Sequence, residues 1–246
     1  MKRIDGREPD QMREVKITPG LLRHPPGSAL IEIGETKVLC AATVSDRVPA
    51  HRVGTGQGWL TAEYAMLPAS SASRIARDGV RGRIASRSQE IQRLIGRALR
   101  SVFRMEKFGE RTMQIDCDVI EADGGTRTAS ITGGFMALAL AVRHLREEGQ
   151  AGPSLVTDFL SSTSVGIVEG RPVLDLCYLE DAQAEVDMNV VCAGSGGFVE
   201  VQGTGEKTSF DRAQLDALLD LAQAGCRRLT AVQKEILGVE SFGEES

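Results

Sequence analysis

Aromatic residues are few in this chain: one tryptophan, two tyrosines and seven phenylalanines among 246 residues. So small a set gives little for a base-stacking platform, and a bound nucleic acid would have to be held mainly through its backbone. Histidine is scarcer still, with only His24, His51 and His144, and no two of them have metal-ligand spacing. No Gly-x-Ser-x-Gly elbow is present, so zinc hydrolases and serine hydrolases are set aside. The five cysteines are an odd number and none falls in a Cys-x-x-Cys pair. Cys40, Cys117, Cys177 and Cys192 sit inside apolar, strand-like runs, which points to small buried hydrophobes in a reducing compartment. The longest apolar stretch, Phe135 to Val142, is far short of a membrane span. The start, Met1-Lys2-Arg3-Ile4-Asp5-Gly6, has no apolar signal region behind its basic residues. The expectation is a cytoplasmic protein with no membrane association.

Hydrophobic and charged fractions of 41% and 26% are those of an ordinary folded domain and exclude disordered, collagen-like and coiled-coil classes. The net charge of −5 argues against nucleic acid until its distribution is considered. Residues 74–111 carry eleven Lys/Arg against four Asp/Glu, a net +7, which leaves the remainder at −12. Ten of the eleven are arginine, the side chain best suited to forked phosphate recognition. Such a block on an acidic body can guide a polyanion to one place. A solvated helix face, or a face that pairs with acids on another subunit, would carry the same charges.

Alternation predicts two strands over 27–34 and 36–45 with a turn at Gly34-Glu35, and a third over 113–123. The glycine-rich loop 54–58 has no amphipathic helix after it and is a turn, not a dinucleotide fingerprint. Ser86-x-x-Gln89 fits a capping box for a helix whose apolar positions are Ile91, Leu94, Ile95, Ala98, Leu99 and Val102. Arg93, Arg97, Arg100 and Arg104 form a row beside that apolar face. A second helix runs from the Gly124-Gly125 turn to about Glu148. Hairpins follow over 163–178, about Gly170, and over 186–202, across residues 194–197. A long helix then extends from Asp211 to about Leu237, with Ser209 as its cap. The order implies an α+β protein of two halves sharing one core, with residues 1–237 as one catalytic domain and 238–246 as an acidic, disordered tail.

Three places can carry chemistry. Gly124-Gly125-Thr126-Arg127-Thr128 joins a strand to a helix, where unpaired amides and the helix dipole favour an anion. It lacks the Gly-Lys-Ser/Thr of a P-loop, and a tight turn with a hydroxyl cap would look the same. Arg87 lies in the first turn of a helix, a poor place for a cation, which calls for either a buried salt bridge or a waiting anion. Asp181 and Asp187 belong to a run that also holds Glu180 and Glu185; two converging carboxylates would hold Mg²⁺ or supply a general acid, while a solvated acidic turn is the plain alternative.

Taken together these segments resemble the ribonuclease PH family. The likeness is carried by Asp5-Gly6-Arg7, Gly56-Gln57-Gly58-Trp59-Leu60-Thr61-Ala62-Glu63-Tyr64, Met66-Leu67-Pro68, residues 87–97, residues 123–130 and the stretch from Asp175 through Asp181 to Asp187-Met188-Asn189-Val190. The resemblance implies a ribosomal protein S5 domain 2-like fold. It also implies a phosphate-dependent 3′→5′ exoribonuclease, a tRNA nucleotidyltransferase that trims tRNA precursors and releases nucleoside diphosphates. Arg87, Gly125, Thr126 and Arg127 would hold inorganic phosphate, the co-substrate. Asp181 and Asp187 would serve catalysis and a divalent metal, Mg²⁺, and RNA would pass over Arg93, Arg97 and Arg100. A homohexameric ring, a trimer of dimers, is implied as well. The alternatives are a catalytically silent RNA-binding ring subunit, or an exosome-type subunit that needs a partner. Two departures, Ser86 in place of the family's usual glycine and the Ala/Ser interruption at 69–73, bear on RNA affinity and ring assembly.

Overall fold

The computed structural model describes residues 3–77, 80 and 82–242. Met1, Lys2, Arg81 of the basic segment and residues 243–246 of the tail lie outside the described residues, as do Asp78 and Gly79.

Two sheets flank one central helix. The first has strand order β1-β2-β3-β5-β4, with β1 Val15–Pro19, β2 Gly27–Ile33, β3 Thr36–Ser45, β4 Trp59–Met66 and β5 Thr112–Glu121. Its pairs are antiparallel except β4 with β5, whose parallel pairing is made by the crossover helix α1, Ser86–Arg100. The second sheet, β7-β6-β8-β9, is antiparallel throughout, from β6 Leu160–Val168, β7 Arg171–Leu174, β8 Val186–Ala193 and β9 Phe198–Gly205. In β5 the period of two is plain: Met113, Ile115, Cys117 and Val119 are buried while Gln114, Asp116 and Asp118 point outward.

The central helix α2, Thr126–Glu147, packs against both sheets, which is why it is apolar almost all round and why the two halves share a core. Its small residues allow close approach. A Cβ on Gly27 of β2 would lie 2.1 Å from the Ala137 carbonyl oxygen, and one on Gly133 would lie 2.7 Å from Ile31. A short helix α3, Tyr178–Asp181, precedes β8, and α4, Arg212–Leu237, backs the second sheet.

Several expectations need correction. Ser86 does not cap α1: the cap position is Ala85, whose carbonyl accepts from Gln89 N–H at 3.0 Å with no side-chain cap. Asp211, not Ser209, caps α4, in a capping box with Gln214. The tail stays with the body at least as far as Phe242, whose ring centroid lies 4.7 Å from that of Phe159 and 5.9 Å from that of Phe135. Strands β1 and β4 were not foreseen. The buried face of β4 is Leu60, Ala62 and Tyr64, and a small residue and a hydroxyl-tipped one hide its alternation. All five cysteines are free and buried. Among the described residues no helix is long and apolar enough to cross a membrane.

Candidate active site

A cleft of 530 Å³ opens where the start of α2, the start of α1 and the ends of the second sheet converge. On one wall is the turn that follows β5. Gly124 and Gly125 both take left-handed backbone, φ +76° and +67°, and Gly125 is the helix cap with no side chain to offer. The first turn of α2 holds no acidic residue, so its amides and positive dipole end are left for a ligand. Thr36 anchors this turn from β3: its hydroxyl accepts from Asp123 N–H (2.9 Å) and donates to the Gly124 carbonyl (2.7 Å).

Arg127, one residue into the helix, lines the cleft and is held only loosely, 3.8 Å from the exposed Glu90 carboxylate. Arg87 reaches the same space from α1. It is exposed and makes no ion pair among the described residues, so the buried salt bridge is not formed.

The opposite wall separates the four carboxylates of 180–187. Glu180 turns inward, buried, and pairs with Arg3 and Arg7 while accepting from Cys177 N–H. Glu185 accepts from Gly170 N–H at the surface. Asp181, at the end of α3, and Asp187, near the start of β8, face the cleft. Burial pushes the Asp187 carboxyl up to about 6, with the Asp181 charge adding and Arg127 opposing. Asp181 is raised by burial too, against the pull of Arg87 and Arg127. Glu206, just after β9, also lines the cleft and raises both.

The two walls, some fifty residues apart in sequence, are locked together by backbone contact. A Cβ on Gly124 would lie 2.6 Å from the Leu176 carbonyl oxygen and 2.8 Å from the Tyr178 nitrogen, so the anion turn rests directly on the backbone leading into α3. Tyr178 N–H donates to Asp123 at 3.2 Å. Every residue assigned from sequence to phosphate, catalysis and metal therefore lines one cleft.

The chain has counterparts among known proteins. Residues 11–143 match the model of the 3′ exoribonuclease family, domain 1, and residues 158–225 match that of domain 2. The chain belongs to the ribonuclease PH family. Ribonuclease PH of Syntrophomonas wolfei is 54% identical over 239 residues, covering 97% of this chain and 100% of that protein. Ribonuclease PH of Bacillus cereus is 54% identical over 237 residues, 96% and 97% of the two chains. The fold is shared with rice Rrp46 (TM-score 0.78, 18% identity, 96% of this chain and 100% of that one). It is shared also with an Archaeoglobus fulgidus exosome chain from a structure with RNA at the active site (TM-score 0.77, 21% identity, 94% and 92%). The S5 domain 2-like architecture expected of the family is the one observed.

The arginine row of α1 is not uniform. Arg93 is exposed. Arg97 pairs with Glu200 of β9, Nε to Oε2 at 2.8 Å. Arg100 is half-buried, donates to the Leu60 carbonyl at 2.9 Å and lies 4.8 Å over the Trp59 ring. Sequence reasoning missed Tyr64, Arg13, Asp175 and Glu206. Tyr64 and Asp175 had a local signal, their places in the Glu63-Tyr64 segment and at the head of the Asp175–Val190 stretch that carry the family likeness.

Proposed function

We propose that this chain is a phosphate-dependent 3′→5′ exoribonuclease that trims tRNA precursors, passing the terminal nucleotide to inorganic phosphate and releasing a nucleoside diphosphate. One observation carries the reading: a single cleft sets an open helix start and two arginines against two carboxylates, both with raised pKa values. Inorganic phosphate is held by Arg87, Arg127 and the Gly125–Thr126 backbone. Its oxygen attacks the phosphorus of the last phosphodiester, and the bond from that phosphorus to the 3′ oxygen of the penultimate nucleotide breaks. The leaving 3′ oxygen takes a proton from one of the two aspartates; where both are ionised and hold Mg²⁺, the metal's charge would stabilise that oxygen instead. Phosphoryl transfer of this kind is mainly positioning and charge stabilisation.

The donor chemistry fits Mg²⁺: Asp181 and Asp187 are hard-oxygen ligands on one wall of the cleft, close enough for their charges to repel. No cluster of three or more metal-binding side chains occurs among the described residues, so water and RNA oxygens would complete the shell. Mg²⁺ held there would offset charge developing on the leaving oxygen. RNA would approach over Arg93, Arg97 and Arg100, with Arg93 the one that makes no ion pair or hydrogen bond among the described residues. A cytoplasmic homohexameric ring, a trimer of dimers, completes the proposal; its support is the family and the exosome membership of the structural neighbours.

The test uses purified protein and a tRNA precursor with a short 3′ trailer, in Mg²⁺ buffer with and without inorganic phosphate. Phosphate-dependent release of nucleoside diphosphates is the expected result. Monophosphates released regardless of phosphate would overturn it, and bound RNA with no release would identify a silent subunit or one that needs a partner.

A further inference from the structure

Tyr64 is a tyrosine buried for its hydroxyl as much as for its ring. It lies on β4, is 2% exposed, and its hydroxyl stands 2.9 Å from Thr126 Oγ1 at the first residue of α2. Thr126 itself lines the cleft. Around the same tyrosine, Gln92 of α1 donates to the Tyr64 carbonyl at 3.4 Å, so Tyr64 touches both elements that carry the phosphate ligands.

Proton counting decides how this pair is arranged. A buried tyrosine hydroxyl needs an acceptor, and Thr126 Oγ1 is the one the structure gives it. If Tyr64 donates, Thr126 accepts, and the threonine proton is left free to point into the cleft. If Thr126 donated instead, the Tyr64 proton would be buried without a partner, at a cost of roughly 1–3 kcal/mol. Burial also raises the Tyr64 pKa, partly opposed by Thr126, Arg87 and Arg127, so the phenol remains a donor across the neutral range.

We propose that Tyr64 is a positioning residue that fixes the Thr126 hydroxyl as a donor aimed at the inorganic phosphate. This deepens the phosphorolytic reading and rests on it. Tyr64 touches no substrate. Its hydroxyl sets the direction of the one that does, and it complements the Arg87 and Arg127 forks with a neutral, oriented donor.

The test measures inorganic phosphate affinity by calorimetry on the full chain without RNA, and separately KM for phosphate, KM for RNA and kcat. The variants are Tyr64→Phe, Thr126→Val, Thr126→Ser and the Tyr64→Phe/Thr126→Val pair, each with its melting temperature. Tyr64→Phe should weaken phosphate binding about fivefold, the scale of one neutral hydrogen bond, with KM for RNA unchanged. Thr126→Ser should keep the affinity. The double variant should be no weaker than Thr126→Val alone, because the tyrosine acts only through the threonine. Unchanged phosphate affinity in Tyr64→Phe, additive losses in the pair, or a loss matched in RNA KM and melting temperature would each overturn the proposal. Calorimetry needs no turnover, so a wild-type protein that binds phosphate but releases no diphosphates would count against the activity and leave this inference standing or falling on its own data.

Discussion

The Arg13 guanidinium grips both oxygens of Asp175, Nη2 to Oδ1 at 2.7 Å and Nε to Oδ2 at 3.0 Å, across 162 residues of sequence. Both are buried, and Asp175 holds a left-handed backbone at φ +55°. The third guanidinium nitrogen donates to the Asp123 carbonyl, beside the anion turn. One arginine therefore ties the N-terminal segment to the phosphate wall and to the strand that leads into the carboxylate wall. Arg3 and Arg7 repeat the theme on Glu180, the neighbour of Asp181.

Removing Arg13 leaves the buried Asp175 with Arg7 as its remaining cation, Nη1 to Oδ2 at 3.2 Å. Arg13→Ala should cost about 3 kcal/mol, the low end for a broken buried pair, a drop of about 10 °C in melting temperature for a chain of this size. The Arg13→Ala/Asp175→Ala pair should lose less than the sum of the two single variants. Thermal unfolding of the three proteins checks both statements; strict additivity would mean that the pair does not lock the walls together.

The two glycines of the anion turn should respond differently. Gly124→Ala forces a side chain into positive φ, roughly 1–3 kcal/mol, and also into the Leu176 carbonyl. Gly125→Ala meets only the ends of Arg13 and Thr128, at 3.3 Å. Denaturant unfolding should show the larger loss at Gly124. A phosphate KM raised in a folded Gly125→Ala protein would reflect a tilted helix start.

Arg127→Ala removes a preorganised donor to the transferring phosphate and should lower kcat/KM for phosphate on the order of 10²-fold or more. Diphosphate release within tenfold of wild type would contradict its place in the site.

Asp187 makes a prediction about stability with a definite sign. Its native pKa of about 6 stands above the ordinary 3.8, so the native protein binds more protons than the unfolded chain between those values. Stability therefore falls as pH rises through that window, and the loss is complete above about 6. Asp187→Asn removes the ionisation. Without Mg²⁺ and phosphate it should be roughly 1–3 kcal/mol more stable than wild type at pH 8, with the gain gone near pH 4. Carboxyl NMR should show the Asp187 midpoint near 6, falling in Asp181→Asn, where a repelling charge is lost.

What the sequence revealed about this site follows from how each residue announces itself. Asp187 opens an apolar strand and Gly124-Gly125 breaks a strand into a helix, so both stand out locally. Glu180 and Asp181 are adjacent and alike, and only α3, four residues long and too short for any periodicity, sends one inward to Arg3 and the other to the cleft. The pairing of Arg13 with Asp175 left no pattern, although Asp175 heads a segment that carries the family likeness, because an ion pair closed across 162 residues has no spacing to read. The long helices and most of the strands were legible from their periods, β1 and β4 excepted. The caps were not: Ser86 and Ser209 had the right chemistry one and two residues from where the backbone turns.

The arginine row makes the last prediction, and its members should separate. Arg100 is packed on Trp59 and bonded to the Leu60 carbonyl, so Arg100→Ala should lower the melting temperature. Arg97 must leave Glu200 to reach a phosphate, so Arg97→Ala should change RNA affinity little, the gain and loss offsetting. Arg93 is exposed and makes no ion pair among the described residues. Arg93→Ala should raise KM for RNA, leave KM for phosphate unchanged, and reduce the slope of log affinity against log salt by about 0.7, the share of one single-strand phosphate contact. An unchanged slope for Arg93→Ala would move the RNA path off α1 and onto the loop that carries Arg74, Arg77 and Arg83.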